Sequence, residues 1–372
     1  MVNKIKLVDL NTQYNFLKED IDRSIFDVIK NSDFINGISV REFEYSFKKA
    51  NHSNYFLTTN NGTDSLFIAL KSLNLKPGEE VITTAHSWIS TSSSITLAGG
   101  KVVFCDTEEK TFNIDVSKIE NKITKKTKGL IIVHLYGQPC DMKEILAISK
   151  KYNLWIIEDC AQSHFAKYKN KYVGNFGSFG SFSFFPSKNL GAYGDGGGLT
   201  TNNKKLFNKA LLLSKHGGFK KNQHLIEGMN SRMDGIQAAI LSIKLKKINH
   251  FNKKRFEIAS VYSDLLKNIG DISVPFVKKD RDHVFHLYVI KTKKRDKLKL
   301  YLKSKGIDTA LHYPIALPFL RAYKYLGFGK KDFPVAYSNQ KAILSLPIYP
   351  EMKIDQIEYV CKNIAKFFKK LS

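Results

Sequence analysis

The strongest signal in the 372-residue chain is the stretch Gly180-Ser181-Phe182-Ser183-Phe184-Phe185-Pro186-Ser187-Lys188-Asn189-Leu190-Gly191, followed by Gly194-Asp195-Gly196-Gly197-Gly198. The alternation of aromatic residues and serines predicts a strand that ends at Pro186. Beyond it a single lysine, Lys188, stands among glycines, which allow a backbone to approach a flat ligand closely. A lysine confined in a partly apolar site has a lowered pKa and becomes a nucleophile toward aldehydes.

A carboxylate at a strand end precedes this lysine in the run Trp155-Ile156-Ile157-Glu158-Asp159-Cys160-Ala161-Gln162. A carboxylate in that position is costly to bury unless a cation or several hydrogen-bond donors pair with it. A protonated pyridine nitrogen is one such cation. The residues themselves leave a second interpretation open, in which Asp159 caps the next helix.

A third motif, Thr59-Asn60-Asn61-Gly62-Thr63-Asp64-Ser65-Leu66, leads into a predicted helix. Gly62 lets the backbone come close to a ligand, and Thr63 adds a hydroxyl group. The unpaired N–H groups and the dipole at a helix N-terminus favour a phosphate. Asn-Gly-Thr is also a common turn and helix cap, so the motif alone does not decide between the two.

Short apolar runs alternate with helical patterns from about residue 55 to 205, which indicates crossover connections and a mostly parallel sheet. The pattern predicts the strands Glu80–Ala85, Lys101–Cys105, Gly129–Leu135 and Leu154–Ile157, and the helices Trp88–Leu97 and Met142–Lys151. Ligands of such sheets collect beyond the carboxyl ends of the strands. We therefore expect chemistry in the segments that follow the strands, residues 60–63, 86–88, 136–138 and 158–162.

The pattern changes after about residue 250. Further predicted elements are a helix from Gly235 with Asp234 as N-cap, the strands Val284–Lys291 and Thr309–Tyr313, and the helices Lys297–Ser304 and Ile354–Lys369. We interpret residues 1–249 as a large ligand-binding domain and residues 250–372 as a smaller α+β domain.

Composition excludes disordered, collagen-like and disulfide-scaffold proteins. With 43% hydrophobic and 25% charged residues the chain has an ordinary globular balance. The four cysteines show no CxxC spacing, so we expect free thiols in a reducing compartment and no metal site. Neither a signal peptide nor a membrane-spanning run is predicted, which favours the cytoplasm.

The net charge of +25 invites a nucleic acid or a membrane surface as partner. However, only seven of the 59 basic residues are arginines, the preferred reader of phosphates and base edges. The lysines are scattered over the chain. We therefore interpret them as a solvated surface and expect neither nucleic-acid binding nor membrane insertion.

Four motifs together resemble one known family. They are Asn-Gly-Thr-Asp-Ser-Leu, Glu-Asp-Cys-Ala-Gln-Ser-His, Phe-Ser-Phe-Phe-Pro-Ser-Lys-Asn-Leu-Gly and Asn-Ser-Arg-Met-Asp-Gly-Ile-Gln-Ala-Ala. The chain is similar to the DegT/DnrJ/EryC1/StrS family of nucleotide-sugar aminotransferases, which depend on pyridoxal 5′-phosphate (PLP). The resemblance runs from Leu7 to Pro350. It implies an α/β fold of the aspartate-aminotransferase type (fold type I), with a mostly parallel seven-stranded sheet and a smaller C-terminal α+β domain.

The resemblance also implies roles for residues around the cofactor ring. Lys188 matches the lysine that forms the internal aldimine and then shuttles the proton, and Asp159 matches the carboxylate paired with the pyridine nitrogen. Gln162 corresponds to the residue near the phenolic oxygen of PLP. Trp88 corresponds to the aromatic residue that stacks on the ring.

Further implied roles concern the phosphate, the subunit partner and the substrate. Asn230 matches an asparagine that reaches the cofactor phosphate of the neighbouring subunit, which implies a homodimer with two shared sites. The implied phosphate contacts are Gly62, Thr63 and Ser183. The implied substrate contacts are His164, His312 and Tyr313.

The expected reaction follows from these roles. L-glutamate would donate its amino group and leave pyridoxamine phosphate (PMP), which would then aminate C-3 or C-4 of a keto-sugar linked to a nucleoside diphosphate. The product would serve lipopolysaccharide or other surface glycan assembly. Three alternatives remain open: an aminotransferase for a non-nucleotide ketone, a PLP-dependent dehydratase and a non-catalytic anion-binding protein. Lys188 argues against the dehydratase, because the dehydratase relatives carry histidine in its place.

Two departures from the family pattern bear on which sugar the site would accept. Phe165 follows His164 where the family often has glycine, so we expect a reshaped pocket wall. After Pro314 the chain reads Ile315-Ala316-Leu317-Pro318-Phe319 rather than the frequent Pro-Leu-His. Both changes lie near the expected substrate site.

Overall fold

The computed structural model describes residues 4–220 and 222–370, so the outermost ends of the two predicted domains lie outside the described residues. The described part contains these α-helices: α1 Leu10–Lys30, α2 Ile38–Asn51, α3 Gly62–Ser72, α4 Ser90–Leu97, α5 Met142–Tyr152, α6 Lys204–Ser214, α7 Gly235–Leu245, α8 Ile248–Leu266, α9 Arg295–Ser304, α10 Pro334–Ala342 and α11 Ile354–Lys369. Short 3₁₀ turns link several of them.

The strands form one large sheet and two small ones. They are β1 Tyr55–Thr59, β2 Glu80–Thr84, β3 Lys101–Cys105, β4 Thr127–Val133, β5 Trp155–Asp159, β6 Lys167–Tyr168, β7 Lys171–Tyr172, β8 Phe179–Ser183, β9 Gly197–Thr201, β10 Tyr288–Lys291 and β11 Ile343–Leu346. The large sheet has seven strands in the order β1-β9-β8-β5-β4-β2-β3. Only β9 runs antiparallel to its neighbours, so the predicted mostly parallel seven-stranded sheet is confirmed.

Helices cover both faces of this sheet, as its sequence pattern requires. In β4, Ile131 packs into the core that holds α3 and α4, whereas Leu130 and Ile132 pack into the core that holds α5. Because successive side chains of a strand point to opposite faces, a continuous apolar run is what a strand buried on both faces needs. The carboxyl ends of β8, β5 and β4 therefore meet at one edge, away from both helical layers.

A second core is built from α8, α9, α11 and the antiparallel pair β10–β11. Ile5 from the start of the chain joins this core, and Ala316 to Ala336 join the core of the large sheet instead. The proposed boundary between residues 249 and 250 falls in the first turn of α8, and it stays a prediction. Within the described ranges no helix combines the length and apolar composition needed to cross a bilayer.

Two predicted strands are corrected by the structure. Thr309–Tyr313 is not a strand, because only Ala310 bridges to Ser345, while the N–H of Tyr313 donates to His86 Nε2 at 3.1 Å. The predicted strand Val284–Lys291 is shortened to β10. Its first residues leave the small sheet, because the N–H of Val284 donates to a carbonyl of the large domain, that of Gly137, at 3.0 Å.

The predicted helices are largely found. Met142–Lys151 and Ile354–Lys369 match α5 and α11 to within one residue. The helix predicted to begin at Trp88 begins at Ser90 instead, so Trp88 lies in the preceding loop. Asp234 does occupy the N-cap position of α7, but its side chain makes no capping hydrogen bond.

Candidate active site

A cavity of about 360 Å³ opens at the edge where the strands end. Val133, Asp159 and Ser183, the last residues of three adjacent strands, line its floor. The small domain contributes further side chains from the segments around residues 286 and 312. The position agrees with the rule that open α/β sheets bind ligands beyond the carboxyl ends of their strands.

Lys188 and Asp159 both line this cavity. Burial lowers the pKa of Lys188 to about 8, against which the charge of Asp159 acts. Within residues 4–220 and 222–370, the Lys188 ammonium makes neither a hydrogen bond nor an ion pair with protein. The lysine is thus held out toward the cavity with an amine that is neutral at a far lower pH than usual.

Asp159 is a buried carboxylate with two hydrogen-bond donors. The hydroxyl of Thr91 donates to Oδ2 at 2.8 Å, and the N–H of Ala161 donates to Oδ1 at 3.2 Å. These bonds do not offset burial, which raises the pKa of Asp159 above its usual value. A cation placed beside it would complete its environment, and a protonated ring nitrogen meets that requirement.

The N-terminus of α3 forms a cradle at one side of the cavity. Asn61 caps the helix, with its side-chain oxygen accepting the N–H of Asp64 at 2.8 Å. In the described ranges, the N–H groups of Gly62 and Thr63 have no protein acceptor. A Cβ added at Gly62 would lie 2.7 Å from Cβ of Ser183, so only glycine lets the helix end approach the strand end this closely. These features fit a phosphate.

Trp88 and Tyr313 form the aromatic side of the cavity. Their ring centroids lie 5.7 Å apart, and 59% of Trp88 is exposed. Such an exposure is unusual for a tryptophan in a buried loop, and it leaves a ring face free for a flat ligand. The hydroxyl of Thr63 bonds with that of Ser90 at 2.7 Å, which ties the Trp88 loop to the cradle.

Gln162 has its amide orientation fixed by two contacts. Its oxygen accepts the N–H of Tyr136 at 2.7 Å, and its nitrogen donates to the hydroxyl of Tyr313 at 2.8 Å. One amide hydrogen remains free to donate to a ligand in the cavity. The implied role of Gln162 is compatible with this geometry.

Two histidines of the small domain face the cavity in neutral form. Burial lowers the pKa of His312 to about 4 and that of His286 well below its usual value, and the charge of Lys188 adds to both shifts. Nδ1 of His312 bonds with the hydroxyl of Ser345 at 2.8 Å. His312 is therefore a neutral hydrogen-bonding group at the edge of the site.

Three expectations about the lining find no support in the structure. His164, expected to touch substrate, is fully buried between Phe182 and Phe184 rather than in the cavity. Asn230 is exposed and outside the lining, so its predicted reach into a neighbouring subunit stays a prediction. Phe165 does not reshape the pocket wall, because its ring packs against Phe47 in the core, 5.3 Å between centroids.

The second family departure also lies away from the lining. Ala316 and Leu317 are buried in the core of the large domain, and the N–H of Leu317 donates to the carbonyl of Ala85 at 2.9 Å. Ile315 is 45% exposed. This stretch packs into the core of the large sheet, so its divergence changes packing rather than the lining of the cavity.

Beside Asp159, the buried group of His134, Glu158 and Cys160 has the composition of a metal site. Glu158 already accepts the N–H groups of Gly174, Phe176 and Gly177 at 2.7–2.8 Å, and it lies 3.1 Å from His134 Nε2. The other ring nitrogen of His134 accepts a backbone N–H. Cys160 Sγ donates to the carbonyl of Glu158 at 3.7 Å. Since all three side chains already bond to protein, the group is a structural network that supports β5.

Sequence reasoning missed several residues of the cavity. Thr91 was within reach of it, because hydroxyl groups in the first turn of a helix after a strand end point toward the same edge. His286 gave no signal, since it is separated from Lys188 by almost a hundred residues and only domain packing brings it there. Asn61, Ser87 and Ala161 lie in segments expected to carry chemistry, although they were not named singly. The lining residues outside those segments that were not predicted are Leu66, Ser90, Val133, Phe185, Ser187 and Asp195.

Known proteins resemble the chain over nearly its whole length. The model of the DegT/DnrJ/EryC1/StrS aminotransferase family matches residues 15–365. A pleiotropic regulatory protein of Geobacillus stearothermophilus is 42% identical over 367 residues, 98% of this chain and 99% of the relative. A dTDP-3-amino-3,6-dideoxy-alpha-D-galactopyranose transaminase of Aneurinibacillus thermoaerophilus is 38% identical over 367 residues, 99% of each chain. The crystal structure of S. venezuelae DesV in complex with a ketimine intermediate matches with a TM-score of 0.97 at 32% identity, covering 99% of both chains.

Proposed function

The chain belongs to the DegT/DnrJ/EryC1/StrS aminotransferase family, and on that premise we propose that it is a PLP-dependent transaminase of nucleotide-linked keto-sugars. The observation that carries the proposal is that one cavity brings together three groups. They are Lys188, whose ammonium has no hydrogen bond or ion pair in the described ranges, the buried carboxylate of Asp159, and the free N–H groups at the N-terminus of α3. A lysine and an acidic partner for the ring nitrogen are the groups by which proteins bind this cofactor.

Each residue would hold one part of PLP. The N–H groups of Gly62 and Thr63 and the hydroxyl of Ser183 would bind the phosphate, and Trp88 would cover the ring. Asp159, oriented by Thr91, would keep the ring nitrogen protonated. When bound, the cofactor supplies a sink for the electron pair that is left when a proton leaves the carbon next to the amine.

Lys188 would carry the proton. Burial lowers the pKa of Lys188 to about 8, so its amine would be largely neutral above that pH and could act as a base in the cavity. From there Nζ can accept a proton at one carbon and return it at another, a task that typically contributes about 10²–10⁴-fold to the rate. The neutral ring of His312 would offer the substrate a hydrogen bond without adding charge.

The amino donor, the sugar and the setting are further parts of the proposal. We propose L-glutamate as donor and a nucleoside-diphosphate keto-sugar as acceptor, used in the cytoplasm for lipopolysaccharide or other surface polysaccharide. The relative from A. thermoaerophilus, named for a dTDP-sugar, supports this substrate class.

We also propose a homodimer with shared sites. Apolar side chains are exposed along α1, α2, the loop between them and the loop before α7, and apolar surface of this kind is what a subunit interface covers. They are Phe16, Phe26, Ile29, Phe34, Ile35, Ile38, Tyr45, Phe219 and Leu225, each 44–70% exposed. A second copy of the chain would cover them.

The direct test uses purified protein and PLP. Borohydride should fix the cofactor to one side chain, and peptide mass spectrometry should find the label on Lys188. Incubation with L-glutamate and a panel of keto-sugar nucleotides should then give a product with the mass shift of amination. A label on another lysine, or no uptake of PLP, would contradict the proposal.

A further inference from the structure

The segment that contains Lys188, residues 187–193, is held by the protein at several points; we call it the Lys188 loop. Because the Lys188 ammonium makes neither a hydrogen bond nor an ion pair in the described ranges, its place depends on this backbone. Asn189 anchors one end, since its amide donates to the carbonyl of Val284 and to Asn252 Oδ1, both at 2.9 Å. This anchor ties the loop to α8 and to the small domain.

Helix α7 provides a second anchor through two residues on one face. Gln237 accepts the N–H of Tyr193 at 2.8 Å, and Lys244 Nζ donates to the carbonyl of Gly191 at 2.8 Å. A spacing of seven residues, two helical turns, places both side chains toward the loop. Gly191 in turn packs against the residues before Lys188, since a Cβ added there would lie 2.3 Å from the carbonyl oxygen of Pro186.

Lys244 is an unexpected residue for this position. It is 1% exposed, and its ammonium lies 4.1 Å from the centroid of the Tyr193 ring. Lysine is almost never fully buried, and a buried ammonium is costly. Burial lowers the pKa of Lys244 to about 7, opposed by the charge of Glu351. Methionine would fill the same space without this cost, so what lysine adds is an ammonium that donates to Gly191 and faces the Tyr193 ring, both in the Lys188 loop.

We propose that Lys244 is a positioning residue for the reaction, which acts through the carbonyl of Gly191 on the place of Lys188. It does not line the cavity and touches no reacting atom. The inference rests on the proposed function, because it assigns Lys244 a task only if Lys188 is the reacting amine. It predicts that the hydrogen bond, rather than the volume of the side chain, matters.

The test compares Lys244→Met with a matched control, Lys247→Met, which removes an exposed lysine just beyond the same helix. Three readouts apply: the rate at which added PLP becomes fixable to Lys188 by borohydride, kcat and KM with a keto-sugar nucleotide, and the urea midpoint of the apo-protein. For Lys244→Met the fixation rate and kcat should fall about 10- to 100-fold, since a shift of about 1 Å has that effect. KM should change by no more than about twofold, and Lys247→Met should match the wild type.

Gln237→Leu is the second variant, for the case that Lys244→Met does not fold. It removes the other bond from α7 to the loop, at a partly exposed position, and should lower the fixation rate in the same direction. Wild-type fixation and turnover in either folded variant would overturn the inference alone. A wild-type protein that fixes no PLP at Lys188 would overturn the proposed function and this inference with it.

Discussion

Lys188 and Asp159 line the same cavity. Burial lowers the pKa of Lys188 and raises that of Asp159, so that the neutral form of each side chain is favoured. Their mutual attraction opposes both shifts, and Thr91 and Ala161 stabilise the carboxylate further. The result is an amine close to its reactive state and a carboxylate that gains from a cation. Such opposed environments are typical of groups that do acid–base work.

The reactivity of Lys188 should therefore depend on pH in a particular way. A lowered pKa means that the free amine is present above a pH of about 8, whereas an exposed lysine needs about 10.4. Labelling of the apo-protein with an amine reagent, followed by peptide mass spectrometry, should show a midpoint for Lys188 near 8. In Asp159→Asn the midpoint should move lower, because the carboxylate that raises it is gone. A midpoint for Lys188 at the ordinary lysine value of about 10.4 would contradict this.

At the scale of elements, most strands and helices follow the periodicity of the sequence, and the failures are local. The segment 284–287 was predicted as strand but bonds to the loop after β4. The segment 309–313 bridges to β11 only at Ala310, and the N–H of Tyr313 donates to His86 instead. Both segments form hydrogen bonds with residues more than a hundred positions away in the chain. Such long-range contacts cannot be predicted from local periodicity.

Strand β5 is held at its end by Glu158, a fully buried carboxylate with four hydrogen-bond partners. Glu158→Gln turns one acceptor into a donor that faces N–H groups, so we expect a loss of about 2–3 kcal/mol in the free energy of unfolding. Urea denaturation measures it. Glu257→Gln, at an exposed site, should unfold at the same urea midpoint as the wild type. Equal stability of the two variants would show that the network is dispensable.

Helix α10 takes its cap from a distant part of the chain. Oδ1 and Oδ2 of Asp106, just after β3, accept the N–H groups of Ala336 and Val335 at 2.9 and 3.1 Å. Asp106→Ala should lower the free energy of unfolding by about 1–2 kcal/mol, as a lost cap does. It should also speed proteolysis between residues 317 and 336. Exposed Asp296→Ala serves as control, and a protease pattern unchanged from the wild type would contradict this linkage.

At the scale of the whole molecule, the proposed shared site makes the dimer part of the chemistry. Asn230 lies outside its own cavity, so a role for it requires a second subunit. The scattered lysines that give the net charge of +25 contribute nothing comparable, since only Lys188 among them lines the cavity in the described part of the chain.

Mixed dimers test this arrangement. Neither Lys188→Ala nor Asn230→Ala should be active alone. If the sites are shared, each site takes Lys188 from one subunit and Asn230 from the other. A dimer of one Lys188→Ala and one Asn230→Ala subunit then has one site with both changes and one site with neither. Equal amounts of the two variants, unfolded and refolded together, should recover about a quarter of wild-type turnover. Random pairing makes about half of the dimers mixed, and each mixed dimer has one intact site of two. No recovery, with dimers present by light scattering, would place Asn230 outside the neighbour's site.

Local periodicity and the residues at strand ends were enough to predict the alternating α/β order, the mostly parallel sheet and the candidates Lys188, Asp159, Gly62 and Thr63. Three relations became visible only in the folded molecule: Thr91 orients Asp159, His286 lines the cavity, and His164 packs in the core. These relations depend on how distant segments pack. A histidine beside a motif reads the same in sequence whether its ring faces a cavity or two phenylalanines.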